Sequence, residues 1–186
     1  MSIKKFYKLG KNELFPICRS ITGNGVRNTL KIIKKNFSKL KIYEIPSGEK
    51  VFDWNIPPEW NIDDAYVIDK NNKKIIDFKK NNLHVVNYSY PVNKMLSLKD
   101  LKSKIFTLKS MPKAIPYITT YYKKFWGFCL SAKEFKKLKK GKYKVYINSK
   151  LKNGYLEYSD TLIKGKSKKQ ILLSTYLCHP QMANHE

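Results

Sequence analysis

The sequence predicts an α/β chain in two parts, with an α/β part contributed by both ends and a mixed, strand-rich insert between them. Three observations predict it. Helical spacing of apolar residues fills positions 3–37, period-two alternation recurs between 142 and 163, and the texture from 50 to 140 changes to short strand-like runs separated by aromatic turns. The expected assignment is therefore residues 1–49 with 141–186 for the α/β part and 50–140 for the insert.

Residues 3–18 place Ile3, Phe6, Tyr7, Leu14, Phe15 and Ile17 at approximately helical spacing, interrupted by Gly10 and closed by Pro16, which predicts a short helix. TGNG at 22–25 then suits a turn and N-cap. A second helix over about 25–37 follows, with Val26, Leu30, Ile33 and Phe37 on one face and lysines on the other. LKIYEIPSG (40–48) predicts a strand broken at Pro46 and Gly48.

Within the insert, Asn71-Asn72 predicts a hairpin between VID and KKIIDF, LSLKDLKSKIF reads as helical, and KEFKKLKKG reads as a helix ended by Gly141. Trp54, Trp60, Ile76, Val85, Tyr117 and Trp126 are the expected insert core. The alternating runs 141–151 and 154–165 predict two strands joined as a hairpin at Asn153-Gly154. Finally, ILLSTYLCHP (171–180) is apolar on both parities from Ile171 to Leu177. That pattern predicts a central strand covered on both faces.

With 186 residues and a 42% apolar share, the chain is long enough to bury a core. No stretch approaches the roughly 18 to 20 apolar residues of a membrane span, and the start, MSIKKFYKLGKNELF, lacks a signal-peptide core, so a soluble cytoplasmic protein is expected. Cys18, Cys129 and Cys178 form no CxxC pair and no even framework, which argues against structural disulfides.

The net charge of +24 raises the question of nucleic acid. The identity of the basic residues argues against it. Of the 38 basic residues only Arg19 and Arg27 are arginine, whereas phosphate and base-edge readers favour the bidentate guanidinium. The lysines are also spread along the chain, as expected of a compositional bias on solvated positions.

The sharpest chemical feature is Cys178-His179-Pro180, which stops the apolar run where ligands of open α/β sheets sit, at the carboxyl end of a strand. A lone histidine there also fits a hydrogen-bonded structural role. His185 and Glu186 follow closely, and two imidazoles with a carboxylate are zinc-type donors.

The words LFPICRSITGNGVR (14–27), IPSGEKVFDWNIPPEWNIDDAYV (45–67), NLHVVNYSYPV (82–92), AIPYITTYYKKFWGFCLS (114–131) and ILLSTYLCHPQMAN (171–184) together resemble the bacterial aminopeptidase-like proteins, a family often encoded near polysaccharide biosynthesis genes. That family is similar in its catalytic domain to di-zinc aminopeptidases of the aminopeptidase Y and bacterial leucyl aminopeptidase type. The resemblance implies a phosphorylase/hydrolase-like three-layer α/β domain with an inserted domain, zinc as cofactor, a peptide or amide substrate, and His179 as the first metal ligand. Zinc in such a site lowers the pKa of bound water.

His185 stands where the family carries an aspartate that bridges two metals, and an imidazole with one free lone pair cannot bridge as a carboxylate does. The family's general base and remaining ligands have no counterpart here. The chain is thus expected to match the N-terminal part of such an enzyme, to resemble a truncated product, and to be inactive alone, with no catalytic residue assigned. The alternative is a non-catalytic binding module that uses the insert to recognise a peptide, glycan or protein. A membrane partner is not expected, and homo-oligomerisation stays open.

Overall fold

The computed structural model describes residues 2–182, a mixed α/β chain with several small sheets and few helices. In order, the first elements are α1 (Ile3–Leu9), α2 (Asn24–Asn36), β1 (Lys41–Pro46), β2 (Lys50–Val51), β3 (Trp54–Asn55), β4 (Glu59–Ile68) and β5 (Lys74–Asp77). They are followed by β6 (Val92–Ser97), α3 (Leu98–Lys102), β7 (Ile105–Phe106), β8 (Phe128–Cys129), α4 (Ala132–Phe135), β9 (Lys142–Lys152) and β10 (Tyr155–Asp160). No described helix is long and apolar enough to cross a membrane.

The chain divides into two compact units, Met1–Glu59 with Asn153–Glu186, and Trp60–Lys152. The divisions fall at 59/60 and 152/153, about ten residues beyond the sequence-based boundaries of 49/50 and 140/141. The difference follows from β2 and β3, which pair only with each other and stay in the first unit, and from β9, whose partners lie in the second. Trp54 accordingly sits on β3 in the first unit rather than in the insert core.

In the first unit, α1 begins at Ser2, whose hydroxyl accepts from the Lys5 amide, and runs into a π-helical turn over Gly10–Leu14. Helix α2 buries Val26, Thr29 and Leu30. Its start is set by close approach: a Cβ on Gly25 would lie 2.1 Å from the Cys18 carbonyl oxygen, so only glycine lets the helix reach that loop. β1 pairs antiparallel with β10, and Tyr43 opposite Tyr158 forms a stacked cross-strand pair with centroids 5.0 Å apart.

The second unit is built on a four-stranded sheet in the order β5-β4-β9-β6. β4 and β5 form the hairpin expected at Asn71-Asn72, with Asn72 at φ +60°. Along β9, Tyr143, Val145, Ile147 and Ser149 are buried while Lys142, Lys144 and Lys150 face water, an alternation that places the lysines on a wet face. Ala65, Val67, Ile76, Val85, Leu101, Phe128 and Leu130 complete the core, with Trp126 packed against it. Trp60 is buried separately; its indole N–H donates to the Ser89 carbonyl at 2.9 Å and its ring stacks on Tyr88. Tyr117 is half-buried.

Three local expectations are corrected. β9 and β10 are not a hairpin: β9 pairs with β6 and β10 with β1. A two-residue asparagine-glycine turn of the usual type needs left-handed backbone at both positions, and neither Asn153 nor Gly154 has positive φ. The helix over KEFKKLKKG stops at Phe135, after one turn capped by Ser131. The run 171–177 belongs to no strand, and Ile171, Leu172 and Leu173 are about nine-tenths exposed (91%, 89% and 90%). Among the described residues no strand lies beside it, so its backbone has no ladder to join.

Candidate functional site

His179 lies between the 171–178 run, which forms neither helix nor strand, and a short 3₁₀ turn at Pro180–Met182. Its main chain is held from far away in sequence. The Arg19 Nε donates to the His179 carbonyl at 2.9 Å, and Arg19 Nη1 donates to the Leu14 carbonyl at 2.6 Å. Arg19 is 1% exposed, so a guanidinium fork buried beside α2 ties the N-terminal loop to the residue singled out in the sequence.

The imidazole of His179 lies against the Tyr176 ring at a centroid distance of 4.9 Å, and its Nδ1 is 3.6 Å from the Cys178 Sγ. A cysteine beside a histidine is a nucleophile arrangement only if the thiol ionises near neutral pH. Here burial does the opposite. Desolvation raises Cys178 above its ordinary value against a smaller pull from Arg19, and pushes Cys18 up to about 12. Burial also lowers the Arg19 guanidinium. All three cysteines are free thiols, and Cys129, buried in the second unit, is likewise pushed up to about 12 by desolvation.

A structural or catalytic zinc centre needs three or four protein donors. Among the described residues no three histidine, cysteine or acidic side chains converge as a metal-binding group. His179 with the protonated Cys178 thiol beside it therefore does not fit a zinc ion by itself. His185, the residue at the expected bridging position, lies outside the described residues.

A second constellation in the same unit was missed in the sequence. Arg27 on α2 donates in bidentate fashion to Glu59 at 3.1 and 3.2 Å and through Nε to Glu157 at 2.6 Å; both carboxylate side chains are 4% exposed. Its guanidinium is raised, chiefly by the hydrogen bond to Glu59. Glu157 is raised above the ordinary carboxylate value, first by desolvation, with the Arg27 contact opposing and Glu44, directly across the β1–β10 ladder, adding like charge. Gly154 closes this site: a Cβ there would lie 2.1 Å from a Glu59 carboxylate oxygen. The signal was present, since in a chain of lysines the two arginines mark the two guanidinium forks that meet buried partners.

Residues 59–150 match a known family. The matching family is DUF2172. That family is described as a domain of unknown function, and the match coincides with the second structural unit to within two residues at either end. The chain is also similar, at 52% identity over 172 residues, to a Clostridium acetobutylicum protein named "Putative polysaccharide biosynthesis protein with aminopeptidase-like domain"; the alignment covers 92% of this chain and 39% of that protein. A solved structure, of a "putative peptidase" from Clostridium acetobutylicum, superposes with a TM-score of 0.90 at 51% identity over 97% of this chain and 42% of its own. The chain thus resembles peptidase-like proteins and spans about two fifths of the length of both relatives.

Proposed function

We propose that the chain forms part of a zinc-dependent aminopeptidase-like hydrolase, in which His179 offers one metal-binding imidazole, and that these 186 residues alone do not hydrolyse a peptide bond. The observation that carries the reading is the likeness to proteins named for aminopeptidase and peptidase domains over nearly the whole chain, together with the buried Arg19 fork on the His179 carbonyl. A buried guanidinium that holds the His179 and Leu14 carbonyls fixes where His179 stands, which a ligand-bearing turn requires. Peptide or amide substrates are part of the same proposal and belong to the complete hydrolase; the peptidase names of the relatives favour peptides.

The described donor set supports inactivity of the chain alone. The His179 imidazole lies beside one thiol held protonated by burial, and among the described residues no group of three metal-binding side chains forms around it.

Zinc retention tests the reading. After equilibration with zinc and passage over a chelating resin, the chain is expected to hold well below one zinc per molecule, as does the His179→Ala variant. One chelator-resistant zinc per chain, lost in His179→Ala, would mean that the chain holds a complete site.

A second reading keeps the DUF2172 unit as a binding module for a peptide, glycan or protein. It is favoured by the unit's own core and by the coincidence of the family match with that unit.

A further inference from the structure

We propose that the Tyr121–Tyr122 turn of the second unit binds an acidic glycan, with a sugar ring lying on the Tyr122 ring and its carboxylates met by Lys123 and Lys124. The proposal deepens the reading of that unit as a binding module and rests on it.

The turn departs from ordinary turn chemistry. The Lys123 amide donates to the Thr120 carbonyl at 3.1 Å and the Thr120 hydroxyl donates to the Lys123 carbonyl at 3.1 Å, which leaves two tyrosines at the central positions. Small or turn-forming residues usually fill such positions, so turn geometry does not ask for two large rings. Packing accounts for Tyr121, which is half-buried: its ring meets Tyr88 edge-on at 5.7 Å, and Tyr88 stacks on Trp60 at 5.8 Å. Tyr122 has no such role. It meets Tyr121 edge-on at 4.4 Å and stays 73% exposed.

The backbone that presents Tyr122 is tied down on both sides. The Asn87 amide donates to the Ile118 carbonyl at 2.8 Å, the Thr120 amide to the Asn87 carbonyl at 3.0 Å, and the Tyr90 amide to the Phe125 carbonyl at 3.0 Å. Between those anchors Tyr88, almost fully buried, holds φ at +67°, a left-handed conformation that bulky residues rarely adopt. A strained backbone held by its surroundings beneath one exposed ring is a preorganised platform.

Charge and the number of open rings choose the occupant. From Leu101 to Lys133 the chain has seven lysines and no acidic residue. The ion pairs described in this unit, Lys74–Asp77, Lys79–Asp64 and Lys150–Asp63, lie outside that segment, so its cations suit an anionic ligand. A single-stranded nucleic acid needs successive open rings for successive bases. Here Phe125 and Trp126 have Lys104 Nζ over their faces at 4.7 and 5.3 Å, and Tyr90 has Lys124 Nζ at 5.2 Å. One open ring fits one sugar. Its C–H bonds, polarised by neighbouring hydroxyls, point at the negative face of the phenol ring while carboxylates pair with the exposed lysines. An acidic peptide meets the lysines but has no such ring to lay on Tyr122.

The test is calorimetric titration of the full chain with hexagalacturonate in about 150 mM salt, where exposed charges are screened beyond about 8 Å. Binding is expected. Tyr122→Ala, which leaves the net charge unchanged, should weaken it at least about tenfold, and Tyr122→Phe should keep it. Lys123→Gln/Lys124→Gln should also weaken it, whereas Lys136→Gln/Lys137→Gln, an equal loss of charge elsewhere in the unit, should not. All these positions are exposed, so each variant should keep the circular dichroism of the parent chain. Hexaglutamate, which carries as many side-chain carboxylates without sugar rings, should bind at least about tenfold more weakly than the glycan. Binding indifferent to Tyr122→Ala, or equal losses in the two lysine variants, would overturn the proposal. Tyr122-dependent binding of oligothymidylate or hexaglutamate in place of the glycan would overturn the glycan and keep the binding module. No binding of any of the three would overturn the proposal and count against the module as well.

Discussion

The guanidinium of Arg19 donates to the carbonyl of His179 at 2.9 Å, joining positions 160 apart in the chain. With Arg19 Nη1 on the Leu14 carbonyl, one buried side chain fixes two main-chain oxygens in the first unit. Lysine could meet one of them, but its ammonium lacks the planar fork that meets both.

Arg19→Lys is therefore expected to destabilise the first unit by about 1–3 kcal/mol, the usual cost of leaving a buried hydrogen-bonding group unmet. Urea unfolding measures the loss. Hydrogen exchange should show it at residues 176–180, while the core strands of the second unit keep their protection.

Gly154→Ala should cost about 1–3 kcal/mol through overpacking against Glu59, because the new methyl group would overlap a carboxylate held by Arg27. In a Glu59→Ala background the same substitution should cost far less. A double-mutant cycle measures this coupling, and simple additivity would mean that the contact with Glu59 does not set the penalty.

Glu157 gives the first unit a pH dependence. Its folded value is raised from 4.5, so the native state binds its proton more tightly than the unfolded chain does. The associated stability is fully present below about pH 4.5 and is lost as pH rises through the raised value. Glu157→Gln, which keeps an acceptor for Arg27, should flatten that part of the stability-versus-pH curve; an unchanged slope counts against the assignment.

The thiols should be slow. With Cys18 and Cys129 pushed up to about 12, their thiolate fractions at pH 8 fall about a thousandfold below that of an ordinary cysteine. Reaction with a disulfide reagent is expected to be sluggish in the folded chain and rapid at three thiols per chain in guanidinium. Prompt labelling of Cys178 in the native chain would restore a cysteine–histidine nucleophile to consideration.

What was legible in the sequence was local. Helix α2, strand β1 and the wet face of β9 each announce themselves by a period that needs no distant partner. Asn153-Gly154 misled because the need for glycine came from the Glu59 carboxylate, 95 residues away, rather than from turn geometry. The run 171–177 carries the pattern of a covered strand, but pattern alone does not supply the neighbours it needs. At the candidate site His179 was found from its place after an apolar run. Arg19, which holds it, was counted only as evidence against nucleic acid, since a contact over 160 positions leaves no periodic trace.

Hydrolysis of leucine p-nitroanilide in zinc-supplemented buffer tests the central claim most directly. The account predicts no rate above that of the His179→Ala variant, because among the described residues no three histidine, cysteine or acidic side chains converge to hold a metal. Turnover by the parent chain that exceeds the His179→Ala rate would contradict it.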